Sequence, residues 1–246
     1  MLALAGVMMK ALLVPILLLL GLPGPAGAQD KKPTPYPAMA PIEQYRIADP
    51  KEEIALARSA APPSISADAE VLVLGPHGYE TAVTGKNGFV CWVQRSWTAG
   101  FEDRQFWNPK LRGPNCFNPP AVRSVLPQYV KRTEWVLAGI PRAQMIEKAR
   151  VLTESGQFTA PEPGSFSFML SKQGYVSDDA AGPWLPHVMF FVPHGQATVW
   201  AAGLEASPIL GADSTPFEPT VLFVPVRRWS DGSPAPPPET PHRHGS

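Results

Sequence analysis

The chain has 246 residues, of which 44% are hydrophobic and 17% charged, and its 21 basic residues balance its 21 acidic ones. This composition is typical of a globular protein rather than of a disordered one. A nucleic-acid-binding protein would carry a basic stripe that neutralises phosphates, and the sequence shows no such stripe between Lys51 and Arg228. We therefore expect no nucleic acid as a partner.

The first 28 residues have the pattern of a secretory signal peptide. Lys10 is the only charged residue before Asp30, and the apolar run that follows it ends at Leu22. Such a run is short for a membrane span and suits the core of a signal peptide. The small residues before Gln29 match the specificity of signal peptidase. We expect cleavage between Ala28 and Gln29, a periplasmic or secreted protein, and no stable membrane anchor afterwards.

Proline and charge dominate the two ends of the remaining chain. Residues 29–48 are predicted to form a flexible leader, and residues 231–246 a disordered Pro-rich tail. A globular domain is expected between them, over residues 49–230. Its first helix should begin after Asp49, which suits an N-cap, because a proline follows at the first helical position.

Three predicted strands follow, over residues 70–75, 79–85 and 89–95, with turn residues between them. They are predicted to form an antiparallel meander. In the third strand the period of two places Cys91 on the same face as Phe89 and Val93, which favours a core-facing side chain.

Cys91 and Cys116 are the two cysteines of the chain. In the oxidising surroundings of an exported protein they are expected to form a structural disulfide. Closing a loop of that size would stabilise the fold by roughly 3 kcal/mol. A redox-active thiol pair is the alternative, but the Cys-x-x-Cys spacing of such pairs is missing.

Residues 96–120 have no regular period but are rich in aromatic side chains, among them Trp97 and Trp107. With Trp184, these could form a platform on which sugars or peptides stack. The alternative is a satellite core that covers the edge of the sheet.

The rest of the chain alternates helix and strand patterns. Helices are predicted over residues 121–138, disturbed by Pro127, and 141–155, ended by Gly156. Further strands are predicted over residues 165–171, 187–192, 197–202 and 220–226. This order of elements indicates an α+β fold: a single domain with an antiparallel sheet and a few helices packed on one face.

Two histidines, His187 and His194, frame the second of those strands. In a strand they would lie roughly 23 Å apart on opposite faces, so they cannot share one metal ion. We expect no metal site, and the chain lacks phosphate-loop, zinc-protease and haem-attachment motifs, so no cofactor is expected.

His187 is either a catalytic base or a buried, hydrogen-bonded histidine at the start of a strand. Asp178 and Asp179 precede it and could orient it, with Ser171 or Ser177 as nucleophile. No Gly-x-Ser-x-Gly motif supports that site, and carboxylates in loops are commonly solvated or capping groups.

Four segments together resemble a group of uncharacterised exported bacterial proteins: Asn87-Gly-Phe-Val-Cys91, Asn115-Cys116, Phe168-Met-Leu-Ser171, and the Pro-His-x-Met strand that begins at Pro186. The resemblance covers residues 85–203. It implies a bacterial source and a shared domain, and it carries no functional residues over. Phe168 replaces the Tyr usual in that group.

The sequence therefore predicts an exported binding or envelope-associated module whose partner is an envelope component or a small-molecule ligand. The alternative is a periplasmic small-molecule hydrolase that uses His187 with a nearby carboxylate. Whether the protein is an enzyme stays open at this point.

Overall fold

The computed structural model of the chain describes residues 35–178 and 185–236. The expected signal peptide with its cleavage point, Asp179, Trp184 and residues 237–246 of the tail lie outside that part. Among the described residues, no helix is both long and apolar enough to cross a bilayer.

The described elements include five α-helices and eight strands. The helices are α1 (Pro50–Arg58), α2 (Pro63–Ser66), α3 (Pro119–Ser124), α4 (Leu126–Leu137) and α5 (Arg142–Glu154). The strands are β1 (Glu70–Leu74), β2 (Tyr79–Val83), β3 (Val90–Gln94), β4 (Gly113–Phe117), β5 (Phe166–Met169), β6 (His187–Val192), β7 (Leu210–Ala212) and β8 (Thr220–Pro225). The described residues form one compact unit, and the α+β fold is confirmed.

All eight strands form one sheet, in the order β2-β1-β3-β4-β5-β6-β8-β7. The pairs are antiparallel except β1 and β3, which run parallel, so the predicted meander is wrong at its third strand. The connection after β2 returns to the start of β1, where Lys86 donates its N–H to the Asp68 carbonyl at 2.7 Å. A Cβ on Gly85 would lie 2.2 Å from the Glu70 nitrogen, so only glycine allows this close return.

Helices pack against both faces of the sheet, whereas the sequence suggested one. Cys91 and Val93 of β3 face Ala57 of α1, and Trp92 of the same strand faces Ala121 and the residues that follow it in α3 and α4. Covering both faces explains why Val90 to Val93 are all buried, where a one-sided sheet would show alternating exposure.

The cysteines lie directly opposite each other in β3 and β4 and form a disulfide, as predicted. Both are fully buried. The second cysteine belongs to β4, a strand inside the segment that the sequence left irregular. Gly113 and Pro114 conceal the strand pattern there, and pairing on both sides supplies the order that local propensity does not.

The predicted leader is part of the fold over much of its described length. Residues Ile42–Tyr45 form a 3-10 helix, and Tyr45 is fully buried. Its hydroxyl donates a hydrogen bond to the Trp107 carbonyl at 2.8 Å. Arg95 and Arg112 also donate hydrogen bonds to carbonyls of this segment, so the proline-rich stretch is ordered by several contacts. Residues 231–236 of the predicted tail also make contacts, since Lys172 pairs with Asp231 at 2.6 Å.

Residues 197–202 form turns rather than the predicted strand. Ala202 donates its N–H to the Ala197 carbonyl at 2.9 Å, and Ala201 and Gly203 have φ angles of 53° and 71°. A left-handed backbone breaks the extended conformation that a strand requires. The strand beyond β8 at that edge of the sheet is β7 instead.

Candidate functional site

A cavity of about 560 Å³ lies on the face of the sheet that α4 covers. Strands β5, β6 and β8 line it with four large apolar side chains, Met169, Met189, Val221 and Phe223. Tyr129 of α4 lines it as well. These side chains share one face because β5 and β6 pair in register, with Met169 opposite His187, and because residues two apart in a strand point the same way.

Polar side chains line the same cavity at several points. They include Gln94, Asp103, Arg104, Gln105, Ser177 and His187, and further polar lining comes from Arg95, Thr98, Gln128, Arg132, Ser214 and Glu218. Three of them, Asp103 to Gln105, come from the long loop that precedes β4. A cavity that combines an apolar sheet face with convergent polar groups is a common setting for a small-molecule site.

His187 stands at the start of β6 and is mostly buried. Its Nδ1 lies 2.9 Å from the Leu185 carbonyl, and because a carbonyl only accepts, Nδ1 carries the proton. The Nε2 of the neutral ring is then an acceptor. Burial lowers the pKa of the imidazole, and the Leu185 hydrogen bond opposes this shift in part. At neutral pH the lowered pKa therefore favours the neutral ring of His187 in the cavity lining.

An ion pair closes one side of the cavity. Arg132 of α4 donates to Glu218 at 2.9 Å, and both side chains are more than nine-tenths buried. The second carboxylate oxygen of Glu218 accepts from the hydroxyls of Ser214 and Thr215, and Arg132 also donates to the Ala99 carbonyl at 2.6 Å. These bonds hold the segments before β8 and after β3 against α4, which is a structural role.

Asp178 does not belong to the described cavity lining. It accepts hydrogen bonds from the hydroxyls of Tyr36 and Tyr175, and Lys110 pairs with it at 3.2 Å. The bonds from Tyr36 and Lys110 lower the pKa of its carboxyl. Its described partners tie the N-terminal segment to the chain before β6, so the structure gives it a tethering role there.

The two candidate serines are placed differently. Ser171 is fully buried, and its Oγ lies 2.7 Å from the Ser59 Oγ. Ser177 lines the cavity together with His187. The structure thus brings one of the two proposed nucleophiles to the histidine's cavity.

Trp97 and Trp107 are core residues, so they do not provide the stacking platform that was one of their two interpretations. Trp97 is fully buried, and its Nε1 donates to the Thr133 hydroxyl at 2.9 Å. Trp107 is 9% exposed and packs edge-on against Phe106 at 4.6 Å. With Tyr45 they belong to a satellite core between the loop before β4 and helices α4 and α5.

The part of the chain that the structure describes holds no group of three or more metal-ligating side chains. No protein-family model, curated protein or solved structure matches this chain. The argument for function therefore rests on the cavity.

Sequence reasoning missed most of the cavity. The period of two in β5 and β6 could have placed Met169 and Met189 on one face, because the register between these strands follows from that alternation. No local signal pairs Arg132 with Glu218, which lie 86 residues apart.

Proposed function

We propose that this protein binds a small, largely apolar molecule in the cavity beside His187. The observation that carries this proposal is the cavity itself, whose volume of about 560 Å³ falls within the roughly 300–1,000 Å³ typical of small-molecule sites. Its floor is sheet and one wall is a helix, so the site is preformed. A preformed site loses little conformational entropy on binding.

The proposed location is the periplasm or the extracellular medium. The signal-peptide pattern of residues 1–28 supports it, and so does the buried disulfide, since disulfides persist mainly in oxidising compartments. A bacterial source, implied by the resemblance, is part of the same proposal. In this setting the protein would carry or sequester its ligand in the cell envelope.

Fluorescence titration with N-phenyl-1-naphthylamine, an apolar dye, tests the binding function. We expect the dye to bind the purified protein and to stabilise it against heat. Val221→Phe should weaken dye binding by about tenfold, because the added ring occupies cavity volume and overpacking costs about 1–3 kcal/mol. Val199→Phe is the matched control, since Val199 is 75% exposed. No dye binding, or equal binding by both variants, would contradict the proposal.

The hydrolase is the second candidate, because Ser177 and His187 line one cavity. A nitrophenyl ester panel separates the two functions. If the protein only binds its ligand, any ester hydrolysis is background, and Ser177→Ala should leave its rate unchanged. If the protein is a serine hydrolase, Ser177→Ala should remove nearly all of the hydrolysis.

A further inference from the structure

Three side chains beneath the cavity floor have polar atoms for which the described residues provide no hydrogen-bond partner. Trp92, Asn115 and Ser167 are each fully buried. No hydrogen bond from the described residues reaches Trp92 Nε1, either amide atom of Asn115, or Ser167 Oγ. Leaving one buried donor or acceptor unsatisfied is costly, and native proteins keep few such groups. Several in one place indicate a site that something polar occupies.

These three side chains lie on the cavity face of the sheet. Trp92 is directly opposite Asn115, and Phe117 is opposite Ser167. Trp92 and Phe117 both belong to the core cluster on the α4 side. Because directly paired residues point to the same face, Asn115 and Ser167 point to that side as well.

Met169 separates this buried polar group from the cavity. Extending the β4–β5 register by one residue places Asn115 opposite Met169, and Met169 is opposite His187. A Cβ on Gly113 would lie 3.3 Å from the Met169 methyl, so that methyl reaches over β4 next to Asn115. Methionine is unbranched and adaptable, so its side chain can move without disturbing the sheet.

We infer that the binding site extends beneath Met169 to Asn115, Ser167 and Trp92, and that the ligand carries an uncharged hydroxyl or amide group at its inner end. This inference rests on the proposed binding function. Trp92 only donates, whereas Asn115 and Ser167 donate and accept, so a group with both capacities fits. These three described side chains are all uncharged, and an unpaired ion buried beside them would be very unfavourable.

Two ligands of similar shape test the chemistry at the inner end: 2-naphthol and 2-methylnaphthalene, each titrated in competition with the dye. The measured quantity is the ratio of their affinities in each protein. Asn115→Leu should lower the preference for naphthol by about tenfold, the factor expected when one or two neutral hydrogen bonds are lost. Affinity for methylnaphthalene should stay or rise.

Ser167→Ala provides a second variant that removes only a hydroxyl, and it should lower the ratio by about threefold. Ser96→Ala is its matched control, because the Ser96 hydroxyl is also buried and has no partner among the described residues, but it lies apart from Asn115, Ser167 and Trp92. If both compounds bind and no variant changes the ratio, the inference is wrong, and ordered water rather than the ligand is the partner of these buried polar atoms. If neither compound nor the dye binds, the binding function itself fails.

Discussion

At the scale of a single residue, His187 in the cavity lining makes the free energy of unfolding depend on pH. Burial holds its folded-state pKa below the ordinary value of 6.5. The unfolded chain therefore takes up a proton before the folded protein does as the pH falls. The contribution of His187 to the free energy of unfolding is complete above about pH 6.5 and is lost progressively as the pH falls towards the lower folded-state pKa.

Urea unfolding of wild type and His187→Gln between pH 7.5 and 5 measures this contribution. We expect the wild type to lose stability across that range and the variant to show a flatter profile. His77→Gln is the control, because His77 is exposed in the turn between β1 and β2. Parallel profiles for wild type and His187→Gln would show that the imidazole titrates normally.

At the residue scale, the sequence predicted candidate side chains better than it predicted their hydrogen-bond partners. It offered His187 as a buried, hydrogen-bonded histidine at a strand start or as a base, and the structure shows the burial and the hydrogen bond to the Leu185 carbonyl. It could not show that Asp178 is bound by Tyr36, which lies 142 residues away. Such contacts depend on the tertiary fold, which local patterns do not encode.

The buried ion pair between Glu53 and Arg95 acts at the scale of elements, because it joins α1 to β3 and β1. The two side chains are 2.8 Å apart and almost wholly buried. Glu53 also accepts the Leu74 N–H, and Arg95 donates to the Tyr45 carbonyl at 2.6 Å. One carboxylate and one guanidinium thus hold four segments in place.

Replacing Glu53 with Gln should therefore lower the free energy of unfolding by about 3–5 kcal/mol, because Arg95 would stay buried without its counter-ion. Urea denaturation at neutral pH measures the loss. On α5, Glu147→Gln is the matched change in an exposed pair with Arg150 and should cost less than about 1 kcal/mol. Similar small losses in both variants would mean that water reaches the buried pair.

Elements with strong local signals were predictable, and those that depend on pairing were not. Asp49 caps α1 by accepting the Lys51 N–H at 2.8 Å, and Gly156 follows α5 with a φ of 73°, both as the sequence indicated. Strand β7 has only three residues and exists through its pairing with β8. Local propensity cannot reveal such a strand, since partner strands stabilise it.

At the scale of the whole molecule, the sheet holds three core clusters together. One lies between the sheet and α4, one around the disulfide and α1, and one beneath the loop before β4. Trp92 belongs to the first and Cys91, its neighbour in β3, to the second. Because the central strands contribute side chains to the clusters on both faces, the packing on one face of the sheet depends on the packing on the other.

The disulfide is part of the folded core and gives the export proposal a physical test. The Cys91 and Cys116 sulfurs bond on the face of the sheet that α1 covers, and both side chains are fully buried. Chain that folds in a reducing compartment should instead keep both thiols.

Intact mass spectrometry of the protein recovered from the periplasm or medium of its host measures both events at once. We expect a chain that begins at Gln29 and is lighter than its reduced form by two hydrogens, the number lost in forming one disulfide. The control is the chain from Gln29 onward made in the cytoplasm, which should react with alkylating reagent at both cysteines once unfolded. A host protein that retains residues 1–28, or that carries free thiols, would contradict export through this signal.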